Sequence, residues 1–257
     1  MHTTSRIDLN WYAYVGNSPI VFVDPSGLAN KLVLIGLPGK GGGIFEVAAA
    51  TWQKENATES DEVVVINAKD YLKYNGDAKD KIMEDMGEAF GSAGIDEFAY
   101  FGHSANTSVS ILYGADINIY PDRWINKDTS FENIIFNSGS TMYLFGCNAG
   151  VSISQGNIAQ SLANRTGSTV YAFPTSSIAT DDKGLAAGNR KVTNADIQKN
   201  RYQGSDLWFV SDRSQPLSVF TPAVGSTPDF VVNKPVPNTR RNPNPPQILT
   251  KGLSRGR

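Results

Sequence analysis

Apolar residues arrive in short runs, separated by stretches with helical spacing. Residues 31–37 form the first strand-sized run, and the glycine-rich loop 38–43 follows it. Residues 44–55 then place Phe45, Ala48 and Trp52 on one face, which predicts a helix. A second strand is predicted over 62–66. A second helix is predicted over 77–90, with Ile82, Met83, Met86, Ala89 and Phe90 on one stripe. The run 98–102 predicts a third strand. Beyond it the pattern changes: 109–113 and 117–120 flank Gly114-Ala115-Asp116 and predict a small hairpin, while 122–137 fits neither period. Strand four is predicted over 141–146 and a helix over 156–165, with Ile158, Ala159, Leu162 and Ala163 inward and Gly167 closing it. Strand five, 169–173, stops at Pro174. Strands alternating with amphipathic helices predict an α/β fold: a mostly parallel sheet flanked by helices on both faces, with the hairpin inserted. Residues 177–205 read as a polar surface segment, and 207–210 with 217–220 as a late pair of strands.

Two of the apolar runs end alike. Phe98-Ala99-Tyr100-Phe101-Gly102 leads to His103, and Met142-Tyr143-Leu144-Phe145-Gly146 leads to Cys147. Cys147 is the sole cysteine; the other histidine, His2, lies near the N-terminus. Ligands of open α/β sheets bind at the carboxyl ends of the strands, so the two residues are expected to face one cleft. A cysteine nucleophile acts as its thiolate, which an imidazolium or a helix N-terminus favours. His103 supplies the first and the helix after Cys147 the second. Gly102, Ser104 and Gly146 place backbone N–H groups around the expected oxyanion.

Composition narrows the function classes. The chain has 257 residues, 40% hydrophobic and 19% charged, with a net charge of −2. That charge gives no electrostatic case for nucleic acid. One cysteine excludes an internal disulfide. The longest apolar runs are too short for a membrane span, and the polar N-terminus has no signal-peptide core. One Cys and one internal His cannot build a zinc cage, and no cofactor is expected. Gly39-Lys40-Gly41-Gly42-Gly43 matches neither phosphate-loop spacing and reads as a tight connection.

Residues 1–29 differ in character from the rest of the chain. Tyr12-Ala13-Tyr14-Val15-Gly16-Asn17-Ser18-Pro19, a short β-branched run, and Asp24-Pro25-Ser26-Gly27-Leu28 resemble the end of the core of Rhs/YD-repeat proteins. The match covers under an eighth of the chain. The resemblance implies that Asp24, Pro25, Gly27 and Leu28 form the release motif, after which a toxin begins. It also implies a shell formed by the parent protein, a cognate immunity protein, and delivery into the cytoplasm of a target cell. Three parts are therefore expected: 1–29 as the core motif, 30–225 as the toxin domain, and 226–257 as a flexible tail rich in Pro, Asn and Arg.

The His103–Cys147 constellation is similar to the caspase–gingipain group of cysteine peptidases, clan CD. That group carries a strand ending in His, a hairpin, and a strand ending in a Cys turn, here Cys147-Asn148-Ala149-Gly150. The resemblance implies a caspase-like fold and a cysteine endopeptidase acting on target-cell proteins. His103 would be the base and Cys147 the nucleophile. It places Asp181 and Asp182 near the pocket that reads the substrate. Ser104 departs from the glycine usual after the histidine. Two rivals stand beside this reading. One is a catalytically inactive caspase-like binding module. The other is a lipase-like serine hydrolase, because Gly102-His103-Ser104-Ala105-Asn106 resembles a nucleophile elbow; no histidine follows to complete its triad.

Overall fold

β1 (Asn30–Ile35) is buried at every position but its first, the continuous apolar run of an inner parallel strand. It is followed by α1 (Ile44–Asn56), β2 (Glu62–Asn67), a 3₁₀ stretch Ala68–Asp77, α2 (Ala78–Glu88) and β3 (Ile95–Phe101). Three short strands come next: β4 (His103–Ala105), β5 (Ser108–Leu112) and β6 (Ala115–Ile117). The chain continues through β7 (Phe136–Leu144), α3 (Ile158–Thr166), β8 (Thr169–Ala172), β9 (Ser177–Thr180), β10 (Lys191–Val192), α4 (Asn194–Gln198), β11 (Trp208–Ser211) and β12 (Ser218–Phe220). This is a computed structural model, and it describes residues 28–37, 43–112, 115–117, 134–151, 157–181, 191–199, 202, 204, 206–213 and 215–226.

Among the described residues, six strands form the central sheet in the order β12-β8-β7-β3-β1-β2. Every neighbouring pair is parallel except β12, which runs antiparallel to β8. The protein is thus α/β with a mainly parallel central sheet. Alternate residues of β1 enter different apolar clusters, as the twofold strand period requires. Leu32 and Leu34 join Ile82 and Met86 of α2 and Ile158 and Leu162 of α3. Val33 and Ile35 join Phe45, Ala48 and Trp52 of α1. No helix among the described residues is long and apolar enough to cross a membrane.

Local signals set the helix ends. Asn157 caps α3 by accepting from Gln160 N–H at 2.8 Å, and Gly167 ends it in the left-handed conformation, φ 73°. Thr193 and Asp196 form a reciprocal capping box on α4.

Several expectations change. β7 begins at Phe136, five residues earlier than its apolar run, because Asn137-Ser138-Gly139-Ser140 is a polar stretch at the end of the sheet. The segment after Pro174 is not one surface loop: β9, β10 and α4 lie in it, and β10-β9-β11 is a small antiparallel sheet. The late pair of strands does not form. β11 pairs with β9, and β12 joins the central sheet on β8. Leu207, just before β11, is buried in the α1 cluster and donates its N–H to Thr51 Oγ1 of α1 at 2.8 Å, which draws β11 away from β12. The hairpin is a three-stranded antiparallel sheet, β4-β5-β6. Asp24, Pro25 and Gly27, the loop 38–42, residues 118–133, Asp182 and the tail from 227 lie outside the described residues.

The start of the fold has one consequence for a shortened chain. Ala29 is engaged twice, donating to Asp61 Oδ1 at 3.1 Å and accepting from Glu62 N–H at 3.1 Å. A chain beginning at Leu28 is expected to melt like the full-length protein. One beginning at Asn30 should lose about 1 kcal/mol, since Asp61 keeps one donor fewer. Thermal unfolding of the two shortened forms checks the difference.

Candidate active site

β3 and β7 are parallel neighbours with Tyr100 level with Leu144. His103 lies three residues beyond Tyr100 and Cys147 three beyond Leu144, so the register carries both to the carboxyl ends of adjacent strands. The ladder continues past β7, with Phe145 N–H donating to Tyr100 O at 2.9 Å. Two glycines allow the chains to close up there. A Cβ on Gly146 would stand 2.2 Å from Ser104 Oγ and 2.9 Å from Gly102 O. A Cβ on Gly102 would stand 2.2 Å from Tyr100 Oη.

Tyr100 is fully buried, and its hydroxyl faces two carbonyls, His103 O at 2.6 Å and Ser110 O at 2.7 Å. It therefore holds the main chain at His103 against β5. Ser104 Oγ donates to Cys147 O at 2.7 Å, tying the histidine segment to the cysteine turn. The His103 side chain is exposed, and its ring stands edge-on to Phe45 of α1, centroids 5.2 Å apart. Cys147 is half-buried. Its sulfur faces Ser177 at the start of β9: Sγ accepts from Ser177 N–H at 3.3 Å and lies 3.5 Å from Ser177 Oγ. The His103 ring thus packs toward the cluster that holds Phe45, while the sulfur of Cys147 is turned to the start of β9. Among the described residues no hydrogen bond links Sγ to the imidazole, and none uses the N–H of Gly146 or Cys147.

Asn148, directly after the cysteine, has φ 60°, a left-handed conformation that asparagine tolerates better than most residues. Its N–H donates to Thr175 O at 2.8 Å. Beside this turn is a polar cavity of about 200 Å³ lined by Asn148, Pro174, Thr175, Ser176, Asp212 and Arg213. Asp181 is exposed and follows Thr180, at the far end of β9 from Ser177. It lies four residue steps along the chain from the sulfur's contact, roughly 13 Å at the usual rise. The structure brings Asp212 and Arg213, not Asp181, to the cavity beside Asn148.

Comparison of the chain with protein-family models, with curated proteins and with solved structures finds no match. The site's chemistry therefore rests on its geometry. Sequence reasoning missed Tyr100, which reads as one more apolar strand residue, and Ser177, which lies in a stretch without hydrophobic period. For Ser177 the only signal was its place just after a strand stopped by proline.

Proposed function

We propose that residues from about 30 onward form a caspase-like cysteine peptidase, the toxin carried at the tip of an Rhs-type delivery protein, cutting proteins inside a target cell. The observation that carries the reading is the pair of adjacent parallel strands, β3 and β7, ending in His103 and Cys147 and tied by the Ser104–Cys147 hydrogen bond. The order of parts supports it: a strand to the histidine, a small antiparallel insertion, a strand to the cysteine, a helix, and a glycine turn into β8. α1 on one apolar cluster and α2 with α3 on the other fit helices on both faces of the sheet.

In this reading His103 takes the thiol proton, and Cys147 Sγ attacks the substrate carbonyl carbon. The backbone N–H groups at the two strand ends, Gly102 to Ser104 and Gly146 with Cys147, supply the donors to the oxyanion. Collapse breaks the C–N bond as His103 returns the proton to the leaving amine. Water, deprotonated by His103, then cleaves the thioester and frees the thiol. The polar cavity beside Asn148 is placed to receive a substrate side chain. The test is to incubate the full-length protein with target-cell lysate and map new protein termini. Termini that appear with the untreated protein and vanish after iodoacetamide support the reading. No new termini, or the same termini after alkylation, refute it.

The serine-hydrolase reading predicts something different for Ser104. Its hydroxyl is engaged with Cys147 O, and it positions the turn that holds the sulfur. Ser104→Ala is expected to lower cleavage about three- to tenfold, the worth of one neutral hydrogen bond. Abolished activity with Cys147→Ala still active would favour Ser104 as nucleophile.

A further inference from the structure

The thiol of Cys147 is turned toward Ser177, a contact that the dyad does not explain. Three polar atoms of Ser177 face Sγ: its N–H nitrogen at 3.3 Å, its hydroxyl oxygen at 3.5 Å and its carbonyl oxygen at 3.7 Å. The residue does not hang free. Ser177 pairs with Ser211 at the start of the β9–β11 ladder, and Asp212 N–H donates to the preceding Ser176 O at 3.0 Å. Its N–H thus has a fixed direction.

The two states of the sulfur use these groups differently. A thiol has one proton to give, and the carbonyl or the hydroxyl can accept it. A thiolate can only accept. The N–H already donates to Sγ, and the hydroxyl can rotate to become a second donor. Hydrogen bonds to a charged group are about twice as strong as neutral ones. The N–H and hydroxyl contacts are therefore stronger for the reactive form than for the resting one, while the carbonyl contact serves the thiol alone.

We propose that Ser177 is the positioning residue of Cys147, its main-chain N–H and its hydroxyl together holding the deprotonated sulfur. The role in catalysis rests on the peptidase reading; the effect on the thiol does not. Ser177 acts through Sγ and contacts no substrate in this scheme.

Alkylation tests it directly, because Cys147 is the only cysteine of the chain. Its thiolate displaces iodide from iodoacetamide, forming a thioether, while the thiol proton goes to buffer. The full-length protein and its Ser177→Ala, Ser177→Thr and Ser177→Val variants are alkylated near neutral pH and followed by mass. Thr and Val share one shape and differ only in the hydroxyl. Ser177→Thr is expected to react within about twofold of the unaltered protein, and Ser177→Val about tenfold more slowly. Ser177→Ala should match Ser177→Val. Equal rates for Thr and Val overturn the proposal, as does a Ser177→Ala protein that reacts at the unaltered rate. Should Ser177→Ala fail to fold, the Thr–Val pair decides alone. Lysate cleavage separates the two ideas. Slowed alkylation with no cleavage by the unaltered protein retains Ser177's role and removes the peptidase. Cleavage with alkylation indifferent to the hydroxyl does the reverse.

Discussion

If the proposed peptidase reading holds, Cys147→Ala is expected to abolish lysate cleavage and toxicity in target cells, by roughly 10⁴-fold or more, because the acyl intermediate then has no nucleophile. His103→Ala should remove about 10²–10⁴-fold, since among the described residues no other histidine stands at the strand ends to move the proton. Neither change should unfold the protein. Cys147 is half-buried, and its truncation costs about 1 kcal/mol or less. The exposed His103 gives up one edge contact with Phe45, worth roughly 0.5–1.5 kcal/mol. Combining the two replacements should cost little more than Cys147→Ala alone, because the residues act as one unit. The measurement is initial cleavage rate beside thermal unfolding. An active Cys147→Ala protein would remove the peptidase reading, and a full additive loss in the double variant would remove the dyad.

The sequence made the central sheet legible because β1 and β3 are buried at successive positions. Leu32 to Ile35 and Phe98 to Phe101 are continuous apolar runs, and such runs mark themselves. Their order and glycine endings also pointed His103 and Cys147 to the same end of the sheet. What stayed hidden is held by polar or long-range contacts. β9 carries Ser177 and Thr180 beside Ile178 and Ala179, so it lacks a clean alternation, and its pairing with β11 spans a long polar segment. For β12 the strand itself was legible in 217–220 and only its partner was not: it is three residues with Val219 exposed, and its place against Tyr171 of β8 puts it in the central sheet. The cavity beside Asn148 joins three distant stretches of chain, around Asn148, Thr175 and Asp212. No local pattern encodes such a meeting. Asp181 stands out in the sequence as a charge near the fifth strand, yet β9 carries it away from the sulfur.

The largest stability effect is expected at the opposite end of the sheet. Lys31 opens the buried part of β1, and its ammonium is almost covered. It pairs with Glu97 Oε2 at 2.8 Å and Asp61 Oδ2 at 3.3 Å, and donates to Asn56 O. Asp61 also accepts from Thr58 N–H at 2.8 Å. Burial pushes the Lys31 ammonium down, but the Glu97 and Asp61 carboxylates outweigh it and hold its pKa above the ordinary 10.5. Burial pushes the Asp61 carboxyl up, and the Thr58 and Ala29 N–H groups with Lys31 outweigh that, leaving it below the ordinary 3.8. Lys31→Met keeps the apolar stem and removes only the charge, so two carboxylates and a carbonyl lose their shared partner. The expected loss is roughly 2–4 kcal/mol at pH 7, or about 5–15 °C in melting temperature for a domain of this size. The signs fix its pH dependence. Lys31's contribution is complete below pH 10.5 and fades as pH rises through its elevated value. Asp61's is complete above pH 3.8 and is lost as pH falls through its lowered value. The gap between Lys31→Met and the unaltered protein should therefore be widest between those limits and narrow in acid, as Asp61 protonates. Melting curves from about pH 3 to 9 measure it. A gap that stays constant down to the acid end of that range would assign the loss to packing rather than charge.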